Sequence, residues 1–404
     1  MPSPEMKEVI DSLWLRRAAR ASGPARSLAE TRESYAPAGQ LRPLPDDIAT
    51  KQIDASGVPA YWLTAPEADP ERVLLYLHGG GYQVGSLRSH GPLAAHLGRG
   101  IGRRVFFPEY RLAPEHPFPA AADDILTAWR WLVTAAGVDP AATVIAGDSA
   151  GGGLALTLLH TLRDAGEALP AGAVLISPFL DLTASAAALT ERAGLDPVFT
   201  PHAIRSFATV YLNGADPRDP AASPLLGSQV GLPPLLIQAG GAEVLLSDSE
   251  RLAKAAAAAG VSVTLQIADG LPHVYHGALD TPETAEATRR IAEFARALVP
   301  SRAEPFGRIP LEAYAAGASP VIATTAGGLA ETVTEDSTGY TAPPADPRAL
   351  AAAISRALAA SPGQRNRLLA AGRQLTAARY DYQASIAAFL ARLAPWATAA
   401  GQST

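Results

Sequence analysis

Short apolar runs alternate with longer segments of helical spacing over roughly the first 300 residues. The runs that predict strands lie within residues 73–82, 103–114, 142–147, 172–182 and 233–243, and residues 261–270 alternate as a strand should. The segments that predict helices cover residues 121–137, 151–166, 247–260 and 281–299. Gly137 is placed to close the first helix, and a serine or aspartate cap to open the third. This alternation indicates an α/β fold with a largely parallel sheet covered on both faces.

The two ends of the chain differ from this alternating region. Residues 5–45 favour helix but are interrupted by several prolines. A seam follows near Val299 and Pro300, and beyond it the chain is richer in alanine. We therefore expect a first domain over residues 1–300 and a second unit of about 100 residues over 301–404.

Composition excludes several classes of function. The 404 residues are 48% hydrophobic and 18% charged, and the net charge of −6 gives no electrostatic reason to expect nucleic acid as a partner. The chain has no cysteine and no metal-ligand spacing, so we expect no disulfide, no thiolate chemistry and no metal. We find neither a secretory signal nor an apolar run of membrane-spanning length, and expect a cytoplasmic protein without a membrane span. A homodimer is compatible with these properties.

A glycine-flanked serine stands where a predicted strand meets a predicted helix. Gly147, Asp148, Ser149, Ala150 and Gly151 fit the pattern G-x-S-x-G. Such a serine is strained and presents its hydroxyl above the sheet, and side chains two residues to either side would collide with the turn. The pattern predicts Ser149 as a nucleophile. A glycine-rich turn or phosphate loop is the alternative, although no G-x-x-x-x-G-K-[ST] is present.

A second glycine loop ends an upstream strand. His78, Gly79, Gly80 and Gly81 follow the apolar run VLLYL. An oxyanion hole needs N–H donors that no Cβ shields, and glycines at the carboxyl end of a strand supply them. We predict the N–H groups of Gly80, Gly81 and Ala150 as donors, with Gly79 a weaker candidate. We expect His78 to brace the loop.

A serine nucleophile needs a base, and four histidines follow it in the chain. His160 lies on the helix after Ser149 and faces along it, and His202 lies in a polar stretch. His273 falls in a loop between a strand and the last helix of the domain, at the same sheet edge as Ser149. The order serine, acid, histidine therefore predicts His273 as the base, with His276 as its rival.

The acid that orients this base should follow a strand. Glu243 comes directly after the apolar run PPLLIQAGG, and Asp248 and Glu250 lie just beyond it. Asp248 suits a helix cap better. We predict Glu243 as the acid, with Asp248 second.

These motifs resemble the hormone-sensitive-lipase-like branch of the α/β-hydrolases, in its bacterial esterase form. The matching stretches cover about residues 5–300 and read HGGGY, YRLAPEHPFPAA, GDSAGGG, SPFLDLT, IQAGGAEVLLSDSERLA and GLPHVYH. Many members use aspartate as the acid, whereas this chain resembles the subgroup that uses glutamate. The resemblance therefore supports Glu243.

The resemblance implies further features. Residues 1–45 and about 185–225 would form a helical cap over a pocket for short or medium acyl chains, and Arg111 and Glu115 would pair with each other. The implied activity is that of a serine carboxylesterase on small ester substrates without a cofactor. Two alternatives stay open: a deacetylase that cleaves amides of small natural products, and a binding protein like the plant gibberellin receptors, which lack the histidine present here.

Residues 303–395 resemble a fragment of the donor domain of GT-B-fold retaining glycosyltransferases. Glu304 and Glu312 are spaced like that family's paired glutamates, and the GGLAE stretch also matches. We expect a helix from about Gly307, a strand at PVIAT and a last helix near 381–394. The acceptor domain and the first strands of the donor domain are missing, so we interpret this as a truncated, partial Rossmann-like remnant. Glycosyl transfer by it is the alternative.

Overall fold

The computed structural model describes residues 2–39, 41–185, 187–298, 321–325, 332–343 and 346–379. The chain divides into two compact units, Met1–Val299 and Pro300–Thr404. The predicted seam and this division fall at the same place in the chain.

One eight-stranded sheet forms the centre of the first unit. Its strands are β1 (Ala49–Asp54), β2 (Pro59–Thr64), β3 (Asp69–Leu77), β4 (Arg103–Pro108), β5 (Thr143–Asp148), β6 (Gly172–Ile176), β7 (Leu235–Gly240) and β8 (Val263–Ala268). They lie in the order β1-β2-β4-β3-β5-β6-β7-β8. Strand β2 runs antiparallel to both its neighbours, and the remaining pairs are parallel. The α/β-hydrolase fold expected from the sequence is confirmed.

Helices connect these strands and cover both faces of the sheet. They are α1 (Pro4–Ser22), α2 (Leu28–Ser34), α3 (Leu87–Gly100), α4 (Ala120–Thr134), α5 (Ala150–Asp164), α6 (Ala187–Glu191), α7 (Pro201–Leu212), α8 (Leu246–Ala258) and α9 (Pro282–Leu298). Throughout the described part of the chain, no helix has both the length and the apolar character needed to cross a membrane.

Alternate residues of the central strands face opposite layers of helices. Along β3, Leu75 and Leu77 pack in the layer of α4, α5 and α8, whereas Leu74 and Tyr76 pack in the layer of α3 and α9. All four side chains are buried. Because both faces are covered, such a strand reads as an unbroken apolar run, which is why the pattern predicted it.

The structure differs from the sequence-based expectation at four elements. Strands β1 and β2 lie outside the predicted strands. Strand β1 has no apolar run to predict it, because it lies at the sheet edge and is polar and almost fully exposed. Helix α4 ends at Thr134, before Gly137, which follows with a φ of 67°. The cap predicted for α8 is wrong: no side chain caps it, and buried Asp248 instead accepts hydrogen bonds from the N–H groups of Leu180 and Asp181.

Both segments expected to form a cap are helical, the first containing α1 and α2, the second α6 and α7. The backbone N–H of Ser3 donates to Oε1 of Glu283 on α9 at 2.6 Å, and its hydroxyl donates to Oε2 at 2.9 Å. These bonds fix the start of α1 to the last helix of the unit. Arg17 on α1 donates to the carbonyl oxygens of Ala193 and Asp196, which joins the two segments.

The second unit contains two short parallel strands and two described helices. They are β9 (Val321–Thr324), β10 (Gly339–Ala342), α10 (Pro347–Ala359) and α11 (Pro362–Arg379). Strand β9 lies in the predicted PVIAT stretch, and Tyr340, Ala353 and Leu368 form part of a small buried cluster. Glu304, Glu312 and the helices expected from Gly307 and near 381–394 lie outside the described residues.

Candidate active site

Ser149 occupies the sharp turn between β5 and α5. Its φ of 52° and ψ of −117° lie in a region that residues other than glycine rarely adopt, so the predicted strain is present. Its N–H donates to the carbonyl of Ile176 at 2.9 Å, at the end of β6. A Cβ at Gly147 would collide with the main chain of Gly151, and one at Gly151 would collide with the carbonyl of Leu77. Both positions therefore need glycine.

The loop after β3 lies beside this turn because Leu77 pairs with Gly147 in the sheet. Gly80 and Gly81 have φ values of 115° and 60°, and a Cβ at Gly80 would collide with the carbonyl of Val84. Within the described residues, the N–H groups of Gly80 and Gly81 donate no hydrogen bond. They are therefore available to an oxygen on a bound molecule.

Asp148, next to Ser149, holds the glycine loop against the turn. Its Oδ1 accepts hydrogen bonds from the N–H of Gly79 at 3.1 Å and from the hydroxyl of Tyr76 at 2.6 Å. His90 Nε2 lies 3.5 Å from its Oδ2. Burial alone would raise the pKa of Asp148, but His90 and Tyr76 hold it below its ordinary value. Since the N–H of Gly79 is already used, Gly79 is the poorest of the four candidate oxyanion donors.

His78 contacts the glycine loop through its ring and lies next to Tyr110. Nδ1 of His78 lies 2.8 Å from the carbonyl oxygen of Gly79. The hydroxyl of Tyr110 donates a hydrogen bond to the backbone carbonyl of His78 at 2.6 Å. Burial lowers the pKa of His78 to about 3, so the ring is neutral at physiological pH. A neutral ring that donates through Nδ1 stabilises the loop without adding charge beside the serine.

His273 and Glu243 meet at the same edge of the sheet. Nδ1 of His273 lies 3.2 Å from Oε2 of Glu243, and both side chains are buried. Nε2 of His273 has no hydrogen-bond partner. Burial alone would lower the pKa of His273, but the hydrogen bond and charge of Glu243 outweigh it, so the pKa is raised. The next residue, Val274, donates its N–H to Ser177 Oγ at 3.1 Å, which fixes the histidine loop beside the end of β6.

Asp196 is a further carboxylate of this site that the sequence analysis missed. It is fully buried, its Oδ1 accepts from the N–H groups of Val198 and Phe199, and its Oδ2 accepts from the N–H of Val244 at 2.9 Å. Asp196 thus joins the second cap segment to the residue after Glu243, and its charge also raises the pKa of His273. The dipeptide Asp196-Pro197 signals a turn, but its contact with Val244 has no local signal in the sequence.

The rival histidines are engaged elsewhere. His276 is buried, its Nε2 lies 2.8 Å from Oε1 of Gln238, and burial lowers its pKa to about 3. His160 Nε2 lies 3.1 Å from Oε1 of Gln229, and His202 is exposed. The rival acids also lie apart from His273, since Asp248 accepts N–H groups after β6 and Glu250 is exposed.

A cavity of about 660 Å³ opens onto His273. Its walls come from both cap segments and the sheet edge, and its lining includes Tyr35, Val198, Phe199 and Val274. The ring of Phe199 meets the ring of His273 edge to face, with 5.0 Å between centroids. A space of this size and lining suits a small organic molecule.

The expected pairing of Arg111 with Glu115 is wrong. Arg111 pairs instead with Asp124 on α4 at 2.7 Å, and Glu115 pairs with Arg32 on α2 at 2.7 Å. The two side chains point to partners on different elements, which adjacency in sequence does not reveal. Arg32 also donates to the carbonyl of Gln83 at 2.8 Å, and so connects the cap to the loop after the glycines.

Comparison with known proteins also assigns the first unit to the α/β-hydrolase fold. Residues 74–277 match the family described as alpha/beta hydrolase fold. An acetyl-hydrolase of Streptomyces hygroscopicus is 41% identical over 279 residues, which is 68% of this chain and 90% of that protein. An esterase of Acinetobacter venetianus is 34% identical over 64% of this chain and 86% of its own length.

Solved structures resemble this unit closely. The crystal structure of an esterase from the bacterial hormone-sensitive lipase family is 42% identical, with a TM-score of 0.69, over 74% of this chain and 99% of that one. The crystal structure of EstE5, soaked with p-nitrophenyl butyrate, is 40% identical with a TM-score of 0.69, over 73% of this chain and 99% of its own. Residues 290–375 match a different family, glycosyl transferases group 1.

Proposed function

Because the chain belongs to the α/β-hydrolase fold family, in its hormone-sensitive-lipase-like esterase branch, we propose that it cleaves short- to medium-chain acyl esters with Ser149, His273 and Glu243. The enzyme is a serine hydrolase that acts on ester bonds. The observation that carries the triad is the buried contact between His273 Nδ1 and Glu243 Oε2, which leaves Nε2 of the imidazole without a partner.

Each group has a defined part in this mechanism. His273 Nε2 takes the proton of Ser149 Oγ as that oxygen forms a bond to the ester carbonyl carbon. The imidazolium then gives the proton to the leaving alcohol, and water hydrolyses the acyl-enzyme by the same route in reverse. Glu243 keeps the proton of the imidazole on Nδ1 and stabilises the imidazolium.

The oxygen that becomes negative needs donors already in place. The free N–H groups of Gly80 and Gly81 serve this purpose, and that of Ala150, at the N-terminus of α5, is the third. Since these donors are held by the strained turn and the Asp148 contacts, they need no reorganisation during the reaction.

The test is the variant Ser149→Ala with p-nitrophenyl acetate and butyrate. We expect hydrolysis to fall to the uncatalysed background, because no other hydroxyl replaces the nucleophile. The matched control is Ser12→Ala, at an exposed serine of α1, which should keep wild-type turnover. Fluorophosphonate labelling with peptide mapping should find label on Ser149 alone. Label elsewhere, or near-full turnover by Ser149→Ala, would refute the triad.

Removal of an acetyl group from an amide is a second candidate, favoured by the relative named acetyl-hydrolase. The same triad would serve, because it does not distinguish an ester from an amide. Comparison of kcat/KM for p-nitrophenyl acetate and 4-nitroacetanilide separates the two candidates. A measurable Ser149-dependent rate on the anilide would extend the proposed function to amides.

A further inference from the structure

The wall of the cavity opposite the sheet carries an unusual concentration of positive charge. Arg16 and Arg20 on α1 and Arg26 in the turn before α2 all line the space that reaches His273. The side chain of Arg16 packs over Gly39, where an added Cβ would lie 3.3 Å from its Nε. These guanidinium groups therefore belong to the inner wall of the cap as well as to its exposed surface.

None of the three guanidinium groups has an ion pair with a carboxylate of the described residues. Arg20 Nε donates a long hydrogen bond, 3.4 Å, to the carbonyl of Arg16 within α1, whereas Arg17 donates to the carbonyls of Ala193 and Asp196 and so joins the two cap segments. A negative charge does lie near Arg26, on Glu30, but that carboxylate is used in the capping hydrogen bonds with Ser27.

The arginines also affect one another. Desolvation lowers the pKa of Arg20, and the positive charges of Arg16 and Arg26 lower it further. Three like charges held together repel, and the chain as a whole is acidic, with a net charge of −6. A cationic cavity wall in an acidic protein attracts anions to that one place.

The other charged group that lines the cavity does not neutralise this wall. Asp148 is buried, its Oδ1 accepts hydrogen bonds from Tyr76 and the N–H of Gly79, and its Oδ2 lies 3.5 Å from His90 Nε2. A ligand that entered the cavity would therefore meet unpaired guanidinium groups on the cap and the catalytic imidazole at the sheet edge.

We propose that Arg16, Arg20 and Arg26 select substrates that carry an anionic group, a carboxylate or a phosphate-like oxyanion, several bonds away from the acyl carbonyl. Guanidinium groups bind such anions through paired, charge-assisted hydrogen bonds. The inference rests on the proposed function, because it takes the reacting carbonyl to lie beside His273. In this proposal the cap covers the site and also selects between anionic and neutral substrates.

The experiment compares matched neutral and anionic esters. On the acyl side, mono-4-nitrophenyl glutarate is compared with 4-nitrophenyl valerate, and on the alcohol side, 4-acetoxybenzoate with phenyl acetate. The triple variant R16Q/R20Q/R26Q should lower the ratio of anionic to neutral kcat/KM at least tenfold for one of the two pairs. The lysine variant R16K/R20K/R26K should keep most of the ratio, because it keeps the charge.

The control is R218Q/R289Q/R290Q, which removes the same charge from exposed arginines that do not line the cavity. Its ratio should equal that of the wild type. Rising salt should reduce the wild-type ratio, because screening weakens attraction at an exposed site. The pair of esters whose kcat/KM ratio falls in R16Q/R20Q/R26Q shows whether the anionic group of the substrate belongs to the acyl or to the alcohol part.

An unchanged ratio in R16Q/R20Q/R26Q for both pairs would overturn the inference. A ratio that falls equally in the control triple would also overturn it, since the effect would then come from overall charge. In either case Ser149-dependent hydrolysis of the neutral esters would leave the proposed function standing. Loss of the proposed function would instead appear as neutral hydrolysis that survives Ser149→Ala.

Discussion

Two carboxylates act on the imidazole of His273 from different parts of the chain. Glu243 contacts Nδ1 directly, and Asp196 adds its charge from the second cap segment. Together they outweigh the burial that would lower the pKa of His273, and the pKa is raised above its ordinary value of 6.5. A base with a raised pKa is protonated, and therefore idle, at a pH where a free histidine would already work.

This shift predicts the pH profile of the enzyme. Activity should fall as the pH drops through the raised pKa of His273, so the acidic limb of kcat/KM should lie above pH 6.5. Glu243→Gln removes the charge that raises the pKa, so the limb should move to lower pH while the plateau falls roughly 100-fold or more. Initial rates on p-nitrophenyl butyrate across pH measure both effects. A limb that stays in place would show that Glu243 does not control this histidine.

Two variants distinguish the roles of the neighbouring histidines His273 and His276. His273→Asn should abolish turnover. His276→Asn should keep the acidic limb and most of the turnover, but should lower the free energy of unfolding by about 1–3 kcal/mol, because it breaks the buried contact with Gln238. Turnover and urea denaturation of both proteins measure the difference. The reverse result, an active His273→Asn, would reassign the base.

Local motifs made Ser149 and its glycines predictable from the sequence, because a strained turn restricts which residues can stand on either side of it. Glu243 and His273 followed from chain order and from the end of a strand. Asp196 could not be predicted in the same way. Its importance comes from a hydrogen bond to Val244, and nothing in the local pattern brings those two segments together.

At the scale of elements, the glycine loop after β3 has little room for side chains. Gly80 has a φ of 115° and no room for a Cβ beside the carbonyl of Val84. Gly80→Ala should therefore lower both stability, by more than about 2 kcal/mol, and kcat, by about 100-fold, because the oxyanion donors move. Thermal unfolding and turnover on p-nitrophenyl acetate measure these losses.

Gly57→Ala is the matched control for this variant. Gly57 also has a positive φ, 90°, but nothing lies within 4 Å of an added Cβ, and it stands in the turn between β1 and β2, outside the glycine loop after β3. We expect a cost of about 1 kcal/mol from backbone strain alone and unchanged kcat. If both variants lose the same stability and Gly80→Ala keeps its kcat, the oxyanion assignment is wrong.

Strand prediction succeeded for the buried apolar runs and for the alternating, partly exposed β8, and it failed for β1 and β2. The buried parallel strands show as apolar runs, whereas β1 is an exposed polar edge strand whose residues have no pattern to detect. The predicted cap for α8 failed because Asp248 was assigned by its position in sequence. In the fold its carboxylate accepts hydrogen bonds from the N–H groups of Leu180 and Asp181 after β6, a contact between segments that are distant in sequence.

At the scale of the whole molecule, the solved relatives suggest where the esterase ends. A structure that is matched over 99% of its length corresponds to 74% of this chain. The match to glycosyl transferases begins at residue 290, inside α9, but that helix belongs to the hydrolase: Ile291 and Ala295 pack in its core. The match to glycosyl transferases therefore begins 13 residues after the hydrolase family match ends at residue 277, within a helix that packs in the first unit.

Truncation tests this division. A chain that stops after Val299 should fold and keep Ser149-dependent hydrolysis within about twofold, because every described residue of the proposed site lies in the first unit. A chain that stops at residue 289 should fail to fold, because it loses Ile291 and Ala295 from the core. Loss of activity in the chain that stops after Val299 would show that the second unit contributes to catalysis.

Calorimetry of the full chain with UDP- and GDP-sugars tests whether the second unit binds a sugar donor.

The bonds between Ser3 and Glu283 have a consequence for how the enzyme matures on the ribosome. They connect positions 280 residues apart, so the first wall of the cavity cannot be secured until almost the whole hydrolase unit has been translated. The hundred or so residues that follow then take roughly 5–20 s to synthesise. During that interval both partners of the Ser3–Glu283 contact have been synthesised while the chain is still attached to the ribosome.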